Sequence, residues 1–138
     1  MTEATMTDLF GPVIYSYTRE QAIEDGNLVD VSETAQEVGI RFPVALTRAV
    51  WEDCVAWGEE DNKRQTYQDE SGRLWDVLFM LRFAIQRMPE DRDTLFYEIR
   101  RVPRGGRGRM ARKVVLKAHI GPGDQGEPVI TILQPQED

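Results

Sequence analysis

GRLWDVLFMLRFAIQRM, Gly72 to Met88, is followed after Pro89 by LFYEIR, Leu95 to Arg100, and the change of period between these two stretches decides the fold class. In the first, Leu74, Val77, Leu78, Leu81, Ile85 and Met88 recur at the three- and four-residue spacing of one helix face turned to a core. Trp75, Phe79 and Phe83 fall on neighbouring faces, so the helix is apolar around more than half its circumference and should be central or cover an interface. In the second, Leu95, Tyr97 and Ile99 alternate with Phe96, Glu98 and Arg100, the two-residue period of a strand.

The alternation returns downstream. Val114, Leu116, Ala118 and Ile120 alternate with Lys113, Val115, Lys117 and His119, and the apolar run VITIL ends the pattern at Val129 to Leu133. VPRGGRGRMAR, Val102 to Arg112, and GPGDQGEP, Gly121 to Pro128, supply the glycines of two turns. These signals predict a three-stranded antiparallel meander, and a sheet that small needs a helix on one face, for which residues 73–88 are the obvious cover.

Upstream, Thr18 with Gln21 forms a capping-box pattern ahead of a short helix stopped by Gly26. Leu28, Val29 and Val31 make a brief apolar patch, and Ser32 is placed to cap a second short helix through Val38 that ends at Gly39. Pro43 suits the first turn of a helix, and VALTRAVWEDCVAW then places Leu46, Val50, Cys54 and Trp57 on one face. GEEDNKRQTYQDESG, Gly58 to Gly72, reads as a solvated loop. The fold expected is α+β, a helical amino-terminal two-thirds packed on a carboxy-terminal meander. Residues 1–8 form a flexible end, Val13 to Tyr15 and Tyr17 an extended piece lying on the domain, and residues 9–138 a single domain.

A chain of 138 residues that is 41% hydrophobic fits one core. Its apolar runs are far shorter than the roughly 20 residues of a membrane span, and its acidic amino terminus lacks the basic region of a secretory signal, so the expected compartment is the cytoplasm with no membrane partner. The lone Cys54 follows Glu52 and Asp53 in an apolar helical pattern and is expected to be a buried structural thiol. The net charge of -7 is unevenly spread: residues 1–97 carry 9 basic and 19 acidic side chains, residues 98–117 carry 8 and 1, and residues 118–138 carry 4 acids. An acidic body bearing one basic segment disfavours nonspecific nucleic-acid binding, while the segment can still receive an anion.

The candidates for chemistry are few. One histidine, His119, excludes metal sites and triads that need several, and its place on an alternating strand makes it a solvated residue. Glu59, Glu60 and Asp61, with Asp69 and Glu70, match no calcium loop in their order and read as an acidic interaction surface. Gly105, Gly106 and Gly108 lie in a loop followed by a strand, where a phosphate cradle would open a helix, and the Gly-Lys-Ser/Thr ending of a nucleotide loop is missing. Arg100, Arg101, Arg104, Arg107, Arg109, Arg112 and Lys113 are the candidate contacts for an anion or nucleic acid, although no aromatic residue falls among them for base stacking. The other expectation for these arginines is pairing with the acidic body. No catalytic constellation, metal or cofactor is expected.

The blocks FGPVIYSYTREQAIEDG, LVDVS, GIRFPVALTRAVWEDCVAW, GRLWDVLFMLR and GPGDQGEPVITI resemble those of an uncharacterised bacterial family often found on plasmids, phages and integrative elements. The resemblance implies a mobile-element accessory protein that interacts with host machinery, and it carries over no catalytic or binding residue. Two function classes follow: a non-enzymatic protein that binds and modulates a host protein or complex, its acidic surface competing with nucleic acid, or a nucleic-acid-binding module using the basic residues 100–113. The oligomeric state is left open.

Overall fold

The computed structural model describes residues 17–138. The expected flexible end and the extended piece at Val13, Ile14 and Tyr15 lie outside the described residues. Helix α1 (Arg19–Glu24) opens with the reciprocal cap read from the sequence, Gln21 N donating to Thr18 Oγ1 at 3.0 Å and Thr18 N to Gln21 Oε1 at 2.9 Å. The apolar patch forms strand β1 (Leu28–Asp30), and α2 (Ser32–Val38) follows. Gly39 ends α2 at φ 106°, the left-handed region that glycine enters without a Cβ penalty. Ser32 does not cap α2: its Oγ donates to Asp30 Oδ1 at 2.6 Å and accepts from Val44 N at 3.0 Å, stitching the helix to the next strand.

The expected helix from Pro43 is replaced by strand β2 (Val44–Thr47), all four residues of which are buried. With both faces covered there is no alternation to see, so a short apolar run fits helix and strand equally well. Helix begins only where Thr47 Oγ1 accepts from Val50 N at 3.3 Å, as α3 (Arg48–Val50), and passes at once into a π turn over Trp51–Val55 closed by Ala56 N donating to Trp51 O at 2.8 Å. The polar stretch after it is not a plain loop either: it contains α4 (Glu59–Arg64). The long helix α5 (Glu70–Gln86) is capped by Asp69, whose carboxylate accepts from Gly72 N at 2.8 Å.

Strands β3 (Thr94–Arg101), β4 (Arg112–Pro122) and β5 (Pro128–Leu133) are successive antiparallel neighbours, but they are not a separate meander. They belong to a five-stranded mixed sheet of order β1-β2-β5-β4-β3 in which β2 and β5 are parallel, with Val44 opposite Ile130, Ala45 opposite Thr131 and Leu46 opposite Ile132. This corrects the expected architecture. A three-stranded unit would have left Ile130 and Ile132 at an edge, whereas β2 and β1 extend the sheet and bury both side chains completely.

One face of the sheet is covered by α2, the π turn and α5, and the core lies between: Ala35, Leu46, Val55, Val77, Leu78, Leu81, Leu116, Ile130 and Ile132 are fully buried there. Ile85, expected to be buried with Leu78 and Leu81, packs on this cluster while partly exposed. On the opposite face Arg19 Nη1 donates to Thr131 Oγ1 at 2.7 Å and Nη2 to Ile130 O at 2.8 Å, so α1 is tied to β5 from the side that α5 does not cover. No helix among the described residues is long and apolar enough to cross a membrane.

Candidate functional site

Where the sequence shows a glycine-bearing turn, the basic segment is a loop pinned to α4. Gln65, just past α4 and 2% exposed, donates through Nε2 to Pro103 O at 2.9 Å and to Gly108 O, and its Oε1 accepts from Gly105 N at 2.9 Å. Gly105 and Gly106 take φ of 100° and 72° with open space around them, so these glycines serve the backbone turn. Arg104 Nε donates to Asp61 Oδ2 at 2.9 Å, and Asp61, 2% exposed, also accepts from Gly58 N at 2.8 Å and faces Arg64 at 3.5 Å. Burial pushes the Asp61 carboxyl upward, but the Gly58 N–H and Arg104 outweigh it and hold the group below its ordinary value. Arg101 Nη2 donates to both carboxylate oxygens of Asp53 at 3.1 Å.

Two of the seven candidate cations are thus committed to the acidic body. Lys113 lies 3.9 Å from Glu98, too long for a hydrogen bond. Arg100, Arg107, Arg109 and Arg112 are exposed, and none has a carboxylate within salt-bridge distance among the described residues.

A second centre lies under the loop, on Arg73, which is 4% exposed and was not a candidate. Its Nε donates to Val55 O at 3.1 Å, Nη1 to Gln68 Oε1 at 2.7 Å and to Val102 O at 3.0 Å, and its guanidinium carbon sits 4.4 Å from the Trp57 ring centroid. Burial lowers its pKa, an expected consequence of a cation held mainly by carbonyls and an aromatic face. Arg73 shares the helical stripe of Val77 and Leu81, and a charge at that position was the available signal. Cys54 is 1% exposed and its thiol is pushed up to about 12, by burial first and then by Asp53, so it is no nucleophile at neutral pH.

The acidic candidates separate in space by role. Glu59 and Glu60 are exposed on the first turn of α4, Asp61 is buried with its cations, Asp69 caps α5, and Glu70 Oε2 accepts from Trp57 N at 3.3 Å. No group of three or more metal-ligating side chains gathers among the described residues. His119 is exposed on the sheet face away from the helices, with Nε2 4.0 Å from Asp93 Oδ2.

The remaining feature is apolar. Trp75, Phe79, Met80 and Phe83 of α5 are between 37% and 46% exposed, and Phe79 and Phe83 meet edge to face with centroids 5.1 Å apart. Phe79, Met80 and Phe83 border β3, the last strand of the sheet, across two open grooves, one of 1080 Å³ whose walls include Met80, Phe83, Arg87, Asp93 and Phe96, the other lined by Phe79, Met80 and Glu98. Ile120 N donates to Asp93 O at 2.8 Å, and with Thr94 opposite His119 this fixes the parity of β3. Its odd-numbered residues bond to β4, and the N–H and C=O groups of Thr94, Phe96, Glu98 and Arg100 point outward along an edge unpaired among the described residues. The edge closes at Val102, whose carbonyl is taken by Arg73. The breadth of the α5 stripe was legible in the sequence; the open strand beside it was not.

No curated protein and no solved structure matches the chain. A family model does, over residues 6–138, and the chain therefore belongs to a family of unknown function, DUF6573.

Proposed function

We propose that the protein works without catalysis, as a cytoplasmic accessory of a mobile element that binds and modulates a host macromolecule, and that its docking surface is the face formed by α5 and β3. The observation that carries this reading is the contiguity of Phe79, Met80 and Phe83 with a strand edge that is unpaired among the described residues. A row of exposed aromatic side chains beside free main-chain groups suits a protein partner, which can cover the first and bond to the second. The mobile-element setting rests on the sequence resemblance. A protein is favoured over nucleic acid because the net charge is -7 and Arg101 and Arg104 face carboxylates, while Glu59 and Glu60 remain open to a basic partner. Capture from the host with tagged wild-type chain and with a Phe79→Lys/Phe83→Lys variant tests the reading. A partner retained by the wild type and lost by an equally stable variant is expected, and equal recovery by both refutes it.

A second reading has its own observation, the fixing of the arginine loop by Gln65, which holds Arg107 and Arg109 exposed on a preorganised backbone. It expects short duplexes to bind the wild type and replacement of Arg107, Arg109 and Arg112 by Ala to reduce the salt slope by about 3, roughly one per lost phosphate contact.

A further inference from the structure

We propose that, when no host partner is bound, the α5–β3 face is covered by a second copy of this chain, paired antiparallel through β3 about a two-fold axis at Tyr97, so that two sheets become one. The inference rests on the reading of that face as a docking surface and names what covers it in the free protein. Register follows from the free groups. Outward main-chain groups begin at Thr94 and are blocked at Val102 by Arg73, so the open residues are Thr94, Phe96, Glu98 and Arg100, whose midpoint is Tyr97. Pairing Thr94 with Arg100 of the other copy and Phe96 with Glu98 satisfies them all with about eight main-chain hydrogen bonds, two for each of four bonded pairs.

Charge selects the antiparallel, self-complementary arrangement. The chain entering β3 is acidic, with Glu90, Asp91 and Asp93 around a single Arg92, and the far end of the strand carries Arg100, which is exposed and has no carboxylate within salt-bridge distance among the described residues. A two-fold axis at Tyr97 sets the acidic end of each copy against the basic end of the other, twice over, whereas parallel pairing would align like charges. The Asp93 carboxylate lies toward His119, which is on the same sheet face as Arg100, so the opposed groups share a face. The helix repeats the pattern. Asp76 and Arg100 line one groove and Arg87 and Thr94 the other, so the same axis brings Asp76 of one α5 toward Arg87 of its partner, with Phe79, Met80 and Phe83 between.

The exposed parts of Phe79, Met80, Phe83 and Phe96 together offer about 350 Å² for burial, taking ~150–250 Å² for a whole large side chain. A stable interface buries about 800 Å² per partner, so the strand edge and charged ends must supply the remainder. The association is expected to be concentration-dependent in the micromolar range, and weaker in high salt.

The test is the mass of the full chain by sedimentation velocity from about 1 to 300 μM, a range that brackets a micromolar dissociation constant. Wild type is expected to double in mass across it. Arg100→Glu is expected to move the midpoint at least about tenfold higher, and Arg100→Glu/Asp93→Arg to return it to within about threefold of wild type, because the swap restores opposite charges. Phe83→Lys, with thermal unfolding as the control for folding, is expected to leave only monomer. A wild type that stays monomeric throughout overturns the proposal, as does a dimer indifferent to Arg100→Glu. A monomer whose host partner is still lost with Phe79→Lys/Phe83→Lys rejects the second copy and leaves the docking reading standing. Loss of neither rejects both.

Discussion

Replacing Gln65 with Leu isolates the device that shapes the basic segment. Leucine is one bond shorter but of comparable volume, so the space stays largely filled while the contacts to Pro103 O, Gly105 N and Gly108 O are lost. Each such bond contributes about 1 kcal/mol net, and a group left buried without a partner costs about 1–3 kcal/mol. The loop is exposed on its outer side, so water can reach part of what is released. The expected loss is therefore about 2–3 kcal/mol, below the sum for three orphaned groups. For a domain of this size that is a fall in Tm of roughly 7–10 °C. Denaturant unfolding gives the energy, and amide exchange at Gly105 gives the location. Protection there should collapse while the amides of Leu78 and Leu81 in α5 lose only what the global stability loses. A Tm within about 1 °C of wild type together with unchanged exchange at Gly105 would refute the pinning of the loop.

Two further outcomes follow from the buried ionisable groups. Because Asp61 is held below its ordinary carboxyl value in the folded chain, it contributes stability that is present above that value and is lost as pH falls through the lowered one; Asp61→Asn should flatten this acid limb in unfolding measured from pH 7 downward, and an unchanged limb would contradict the Gly58 and Arg104 contacts. The Cys54 thiol, pushed up to about 12, should resist alkylation at pH 8 in the native chain and react fully in denaturant, and native labelling at the rate of a free thiol would show that the site opens.

How much of the fold the sequence reveals depends on whether an element declares itself locally. The α5 stripe and the alternation of β3 and β4 do, because each turns one face to the core and one away, and the period survives in the residue order. Strand β2 does not: Val44, Ala45 and Leu46 are buried on both sides, and what makes them a strand is parallel pairing with Ile130 to Ile132 at the far end of the chain. Once β2 is read as helix, β1 has no neighbour, and the five-stranded sheet shrinks to the three strands joined by visible turns. The π turn is hidden for a related reason. Trp51 to Val55 keeps an apolar spacing that fits an α-helix, and the widened ring closed at Ala56 leaves no mark in composition.

The same distinction explains the candidate site. Asp53, Asp61, Gln65 and Arg73 lie in polar or mixed surroundings, where a charged or amide side chain normally belongs to solvent. What removes them from solvent is the return of the chain after β3, which brings Arg101 to Asp53, Arg104 to Asp61, and the carbonyls of Val102, Pro103 and Gly108 to Arg73 and Gln65. Clustered arginines suggested one surface with one purpose, yet they divide by depth. Arg101 and Arg104 close a polar layer between the π turn, α4 and the end of β3, and Arg100, Arg107, Arg109 and Arg112 remain in water. That layer also bounds the open edge, since the guanidinium that takes the Val102 carbonyl stops any added strand at Arg101. The buried polar groups and the exposed apolar row are therefore parts of one arrangement, the first limiting the length of edge that the second can help to cover.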